Sequence, residues 1–117
     1  MDIETRKRIE NAIVRKAVES AIAAGLDVGC YVSNDESEVL RTNDAEKILA
    51  ELGAADIEML MFFAKDAKRH FGYVELYYGE SGYDVITDYT MNVESIIQPA
   101  LQLAEDFELE LDERGEL

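Results

Sequence analysis

The chain is 117 residues long, 48% apolar and 32% charged, with 26 acidic side chains against 11 basic ones and a net charge of −15. Charge of that sign and size argues against direct contact with nucleic acid or an anionic membrane, and favours basic proteins or cations as partners. A single cysteine, Cys30, excludes an intrachain disulfide framework and any multi-cysteine metal site.

The length suits one domain over 1–117 with one core, burying roughly 65% of the surface its unfolded chain exposes. The first residues carry no apolar segment of the secretory kind, and no run approaches the length of a membrane span. The expectation is a cytoplasmic protein. Five of the 11 basic residues lie within 6–16, whereas 12 acidic residues and one basic residue, Arg114, follow position 70.

Residues 3–24 read as a long helix. Ile9, Ile13, Ala17 and Ala24 lie on one side, and Val14, Val18 and Ile22 recur on an adjacent side. The apolar arc is wide, so the helix is expected to be covered on more than one side. Gly25 ends it, as a glycine beyond a helix terminus commonly does. Arg6, Lys7 and Arg8 are partly neutralised by Asp2, Glu4 and Glu10. Residues 26–32 read as a strand, 34–36 as a turn and 38–41 as a short return strand. Cys30 sits among apolar neighbours and reads as a small hydrophobe.

Asn43 is placed to cap a second helix, with Glu46 completing a capping-box-like pattern. Ala45, Ile48, Leu49 and Leu52 form its buried stripe, and Gly53 closes it. Residues 57–64 form a strand that is apolar on both faces, which predicts a central position in a sheet. A basic turn follows at 65–69.

Residues 72–89 read as a β-hairpin. Gly79 and Gly82 bracket Glu80 and Ser81, and glycine supplies the positive φ that tight turns need. Pairing Tyr78 with Tyr83 puts Leu76 opposite Val85 and Val74 opposite Thr87. Side chains alternate along a strand. One face then carries Val74, Leu76, Tyr78, Tyr83, Val85, Thr87 and Tyr89. The other carries Tyr73, Glu75, Tyr77, Asp84, Ile86 and Asp88, and belongs in water or against a partner. A one-residue slip would exchange the two sets.

Asn92 is placed to cap a last helix whose apolar positions run Val93, Ile96, Ile97, Ala100, Leu101, Ala104 and Phe107. Pro99 removes one hydrogen bond, so a kink or an irregular first turn is expected there. The acidic tail, 105–117, reads as a frayed helix end, an edge strand or a docking tail. The order is α-β-β-α-β-β-β-α. Short connections between consecutive strands favour an α+β fold with a mainly antiparallel sheet of about five strands and the helices on one face.

The segment 72–90, with its tyrosine-rich strand, glycine turn and Asp84-Val-Ile-Thr-Asp-Tyr89 return strand, resembles a group of small acidic proteins from bacterial, phage and plasmid genomes. The likeness extends back to Arg41-Thr-Asn-Asp44 and on through the last helix, about two-thirds of the chain. Tyr83 stands where the group has tryptophan. No activity is assigned to the group, so the resemblance implies a fold and a mobile-element context and carries over no catalytic residue.

The residues themselves offer little catalytic chemistry. One histidine, His70, excludes a two-histidine metal site. No nucleophile elbow, phosphate loop or dinucleotide fingerprint is present, and nothing supports a Cys30–His70 dyad. The carboxylates Glu75, Asp84 and Asp88 are the remaining candidates for a hydrolase, but on an open sheet face without a partner base. No enzyme activity, cofactor or metal is expected. Tyrosines beside carboxylates suit a protein contact better, offering amphipathic area and acceptors for Arg and Lys. Tyr73, Glu75, Tyr77, Asp84 and Asp88 are therefore the expected binding surface.

Asp84 and Asp88 are expected about 13 Å apart at roughly 3.3 Å per residue, near the span of four nucleotides at about 3.4 Å each. That spacing suggests a nucleic-acid mimic that inhibits a host DNA-binding or defence protein. The alternative is an accessory homodimer without catalysis.

Overall fold

The computed structural model describes residues 1–33 and 35–116. The sequence-predicted turn at 34–36 falls partly on Asn34, outside the described residues. The chain forms α1 (Ile3–Ala23), β1 (Asp27–Val32), β2 (Asp35–Thr42), α2 (Ala45–Glu51), β3 (Ile57–Phe63), β4 (Gly72–Tyr77), β5 (Ile86–Tyr89) and α3 (Glu94–Glu113), with a 3-10 turn at Met91–Val93. The fold is α+β, in the element order the sequence predicts. Among the described residues no helix is long and apolar enough to cross a membrane.

The sheet is antiparallel throughout, in the order β2-β1-β3-β4-β5. The doubly apolar strand β3 occupies its centre, as its composition predicts. Val28 and Cys30 from β1, Leu60 and Phe62 from β3, and Val74 and Leu76 from β4 point to one face. There they meet Ile9, Ile13, Val14, Ala17, Val18 and Ala21 of α1, Ile48 of α2, and Ile97 and Ala100 of α3. All three helices thus cover the same side. The wide apolar arc of α1 is accounted for, because the sheet, α2 and α3 each take part of it.

Local chemistry sets the helix ends. The Asp2 carboxylate accepts from the Thr5 N–H at 2.7 Å and caps α1. The α2 cap is Asp44, which accepts from the Glu46 N–H at 3.1 Å. Asn43, the predicted cap, lies one residue early. Asn92 does not cap α3 either. Its amide donates to the Phe71 carbonyl at 2.8 Å and closes the lead-in to β4. A 3-10 turn at Met91–Val93 precedes α3, which runs without a break through Pro99. The acidic tail is helical to Glu113, with Leu111 buried.

The hairpin differs from its predicted form. Val74 faces Tyr89, Glu75 faces Asp88 and Leu76 faces Ile86, with a bulge between the last two pairs. Val74 was expected opposite Thr87, and Leu76 opposite Val85. Residues 78–85 are a loop laid against α1, in place of a tight turn. The Gly79 N–H donates to the Glu10 carboxylate at 2.8 Å, the Tyr78 N–H to the Asp56 carbonyl at 2.8 Å, and the Tyr77 N–H to the Val85 carbonyl at 2.8 Å. Gly82, at φ 90°, passes so close to α1 that a Cβ would stand 3.2 Å from the Arg6 carbonyl oxygen. Burying Val85 and half-burying Tyr78 and Tyr83 against the core offsets the ladder bonds a tighter hairpin would make.

Candidate functional site

The side of the sheet opposite the helices carries its own pattern. Residues paired across strands share a face, so the ladder places Gly29, Tyr31, Val39, Arg41, Ile57, Met59, Met61, Phe63, Tyr73, Glu75 and Tyr77 there together. The centre is apolar and aromatic. Ile57 is 53% exposed and Val39 45% exposed, while Met59, Tyr31, Tyr73 and Tyr77 are half-buried.

Four of the five sequence-predicted site residues meet on this face. Tyr73, Glu75 and Tyr77 alternate outward along β4, and Asp88 stands directly opposite Glu75 on β5. The Tyr73 hydroxyl lies 3.5 Å from Asp88 Oδ2. The bulge turns Thr87 the same way, and its hydroxyl donates to Glu75 Oε1 at 2.9 Å. Two like charges directly opposite one another destabilise a strand pair. Neither Glu75 nor Asp88 forms an ion pair among the described residues.

Asp84 is elsewhere. It sits in the 78–85 loop, where its carboxylate accepts from the Ser81 N–H at 3.1 Å. Its strand spacing to Asp88 therefore does not exist, because the loop at α1 displaces it from the row. Ile86, predicted for the polar face, packs toward the core opposite Leu76.

At the other side of the face the charges are mixed, with Glu36 of β2 lining the same groove as Lys68 and Arg69. Arg41 lies over the Phe63 ring with its guanidinium carbon 4.3 Å from the centroid. It pairs with Asp27 at 3.0 Å and donates to the carbonyls of Ala64, Lys65 and Ala67. This fully engaged arginine fixes the 64–71 connection beside β1 and β2. Lys68, Arg69 and His70 then rim a groove of about 520 Å3 floored by Tyr31, Val39, Met61 and Phe63. Lys68 and Arg69 are exposed and make no ion pair among the described residues.

A smaller cleft of about 130 Å3 opens where β1 and β3 diverge, lined by Cys30, Tyr31, Ile57, Met59 and Glu75 among others. It lies below the size of ordinary ligand sites. Burial pushes the Cys30 thiol up to about 11, with Glu51 and Glu58 adding to the shift. The thiol therefore stays protonated and weakly nucleophilic at neutral pH. His70 contacts the Phe63 ring edge-on, with centroids 5.9 Å apart, on the face opposite that of Cys30. The two do not form a dyad. Among the described residues no group of three or more His, Cys, Asp or Glu side chains is placed to hold a metal ion.

Two features escaped the sequence reading. The apolar strip on β3 was visible as a doubly apolar strand, but its outward half was assigned no role. Glu10 was read as a neutraliser of neighbouring arginines, yet it is only 2% exposed and anchors the Gly79 N–H, with Arg6 Nε 3.6 Å away. Its signal was position, since Glu10 stands one turn before Val14 on the row that continues to Val18 and Ile22. Burial and the nearby Glu58 also push the Tyr78 phenol up from its ordinary value.

No protein-family model, curated protein or solved structure matches the chain.

Proposed function

We propose that this chain is a non-catalytic protein-binding module that works through the helix-free face of its sheet. The observation that carries this reading is the juxtaposition on one face of an exposed apolar strip, Val39, Tyr31, Met59 and Ile57, with the uncompensated pair Glu75 and Asp88. Contiguous apolar surface rimmed by polar groups is the usual composition of an interface. A partner's arginine or lysine set between Glu75 and Asp88 would relieve their repulsion with charge-assisted hydrogen bonds. Tyr73 and Tyr77 add rigid amphipathic area beside them.

The net charge of −15 favours a basic or nucleic-acid-binding protein as a hetero-partner, and the mobile-element context rests on the resemblance of the 72–90 segment. The narrower form, in which the acids replace phosphates of a nucleic-acid strand, rests on net charge alone once Asp84 has left the row. The test is capture of basic proteins from a bacterial lysate by the wild type and by Glu75→Gln/Asp88→Asn and Met59→Asp variants. Loss of the captured protein with either variant supports the reading. Undiminished capture with both rules it out.

A further inference from the structure

Resting on the interface reading above, we propose that the opening between β1 and β3 receives one arginine side chain of the protein partner and is the anchoring point of the outer face. The opening comes from the strand pairing. β1 follows β2 as far as Val32, and β3 follows β4 from Ile57, but β1 and β3 pair only at Asp27–Phe63, Val28–Phe62 and Gly29–Met61. Beyond Gly29 the two halves of the sheet part, and the facing edges at Tyr31 and Met59 have no ladder partner across the gap. The resulting cleft of about 130 Å3 has room for one side chain and not for a ligand of ordinary size. On the outer face it is bordered by Tyr31, Ile57 and Met59, the middle of the apolar strip. Interfaces concentrate their binding energy in such a pocket ringed by apolar contacts, and arginine is among the residues that most often fill it.

The lining selects a cation. Glu36, Glu58 and Glu75 border the cleft, and among the described residues no Lys, Arg or His does. Lys68 and Arg69 share the neighbouring groove with Glu36, so the selection rests on Glu58 and Glu75. Glu75 points outward on β4, whereas Glu58, paired with Leu76, stands on the helix side of β3. A group in the cleft is therefore met by a carboxylate from each side of the sheet. Glu58 accepts from the Gly53 N–H at 2.6 Å and Glu75 from the Thr87 hydroxyl at 2.9 Å. A carboxylate has about four acceptor sites, and neither acid forms an ion pair among the described residues. The negative potential reaches the cleft wall, where Glu58 adds to the upward shift that burial gives the Cys30 thiol. Among the described residues these acids are not placed to hold a metal ion together. A guanidinium suits them better than an ammonium, because it is planar, stacks on an aromatic ring such as that of Tyr31, and directs five fixed donors to more than one carboxylate.

The experiment is an amide NMR titration of the full chain with the peptide acetyl-Gly-Arg-Gly-amide and with its lysine and glutamine counterparts. The arginine peptide is expected to shift the amides of Cys30, Tyr31, Glu58 and Met59 saturably, and the glutamine peptide to shift none of them. Glu58→Gln, which keeps an acceptor for the Gly53 N–H, and Glu75→Gln should each weaken binding of the arginine peptide about tenfold. Glu108→Gln, on α3, removes the same charge and should leave it unchanged. Circular dichroism checks that the variants stay folded. Shifts spread evenly over the acidic surface overturn the proposal, as does a lysine peptide that binds as tightly, or an affinity that Glu58→Gln and Glu75→Gln leave intact. If the cleft amides do not respond but the Glu75→Gln/Asp88→Asn variant still loses a captured basic protein, only the assignment of the cleft fails. If neither the titration nor capture responds to this face, the interface reading fails with it.

Discussion

The two faces of β3 differ by one residue of register and by everything around them. Leu60 and Phe62 point into the helix layer and are fully buried, while Ile57 and Met59 point the other way and remain partly in water. The same run of apolar residues thus serves two purposes. One half is held by three helices. Among the described residues the other half has Arg41, His70 and the 64–71 connection over its upper end, which is why Met61 and Phe63 are nearly buried but Ile57 is not. Hydrophobicity alone did not decide which half is core, because the connections of the chain put every helix on one side.

The sharpest way to break this comparison is by truncation on each side. Phe62→Ala should cost about 3–5 kcal/mol in urea unfolding, since it opens a cavity in close-packed surroundings. Met59→Ala, three residues away on the outer face, should cost under about 1 kcal/mol. Equal losses would mean that the outer face is also core.

Next in size is alkaline pH. The folded state holds the Cys30 proton to about 11, while the unfolded thiol releases it at its ordinary 9.0. Between those values the folded state binds more protons, so its stability falls as pH rises. The loss should approach about 2 kcal/mol by pH 11, with the half-buried Tyr78 phenol extending the decline. Denaturant titrations at pH 8 and pH 11 measure it, and Cys30→Ala should flatten the first part of the slope. An unchanged slope would show that the core face is wetter than the packing implies.

Gly72→Ala tests the contact between β4 and the start of α3. An added Cβ would stand 2.4 Å from Val93 Cγ1 and 2.6 Å from Thr90 Oγ1, so something must move, at a cost of about 1–3 kcal/mol. Glu10→Ala should cost a similar amount, about 1–3 kcal/mol, by leaving the Gly79 N–H without its acceptor. Amide exchange would then rise in the 78–85 loop before it rises in β3. The smallest effect has the opposite sign. Asp88→Asn removes one of two facing carboxylates and should slightly raise the thermal midpoint while weakening association through the outer face. A lower midpoint would show that the pair is compensated within the chain.

Much of this architecture was legible in local pattern. The spacing of Ile9, Ile13, Val14 and Val18 marked α1, and the doubly apolar 57–63 run marked a central strand. Alternation placed Tyr73, Glu75 and Tyr77 outward along β4. The caps were missed by one residue at Asn43 and by role at Asn92. In both places a neighbouring polar group competes for the same helix terminus or strand lead-in, and local chemistry ranks them nearly equally.

The hairpin register, and with it the position of Asp84, was not legible, because two glycines license a tight turn without requiring one. The loop was decided by Glu10, 69 residues away in the chain, which reaches the Gly79 N–H only once α1 has packed on the sheet. The amino-acid sequence by itself determined which segments are helices and strands, through periodicity that each segment carries alone. Only the tertiary structure decided which apolar face stays uncovered and which charges share it. Those depend on where the helices land and on pairings between distant residues, and no local pattern encodes them.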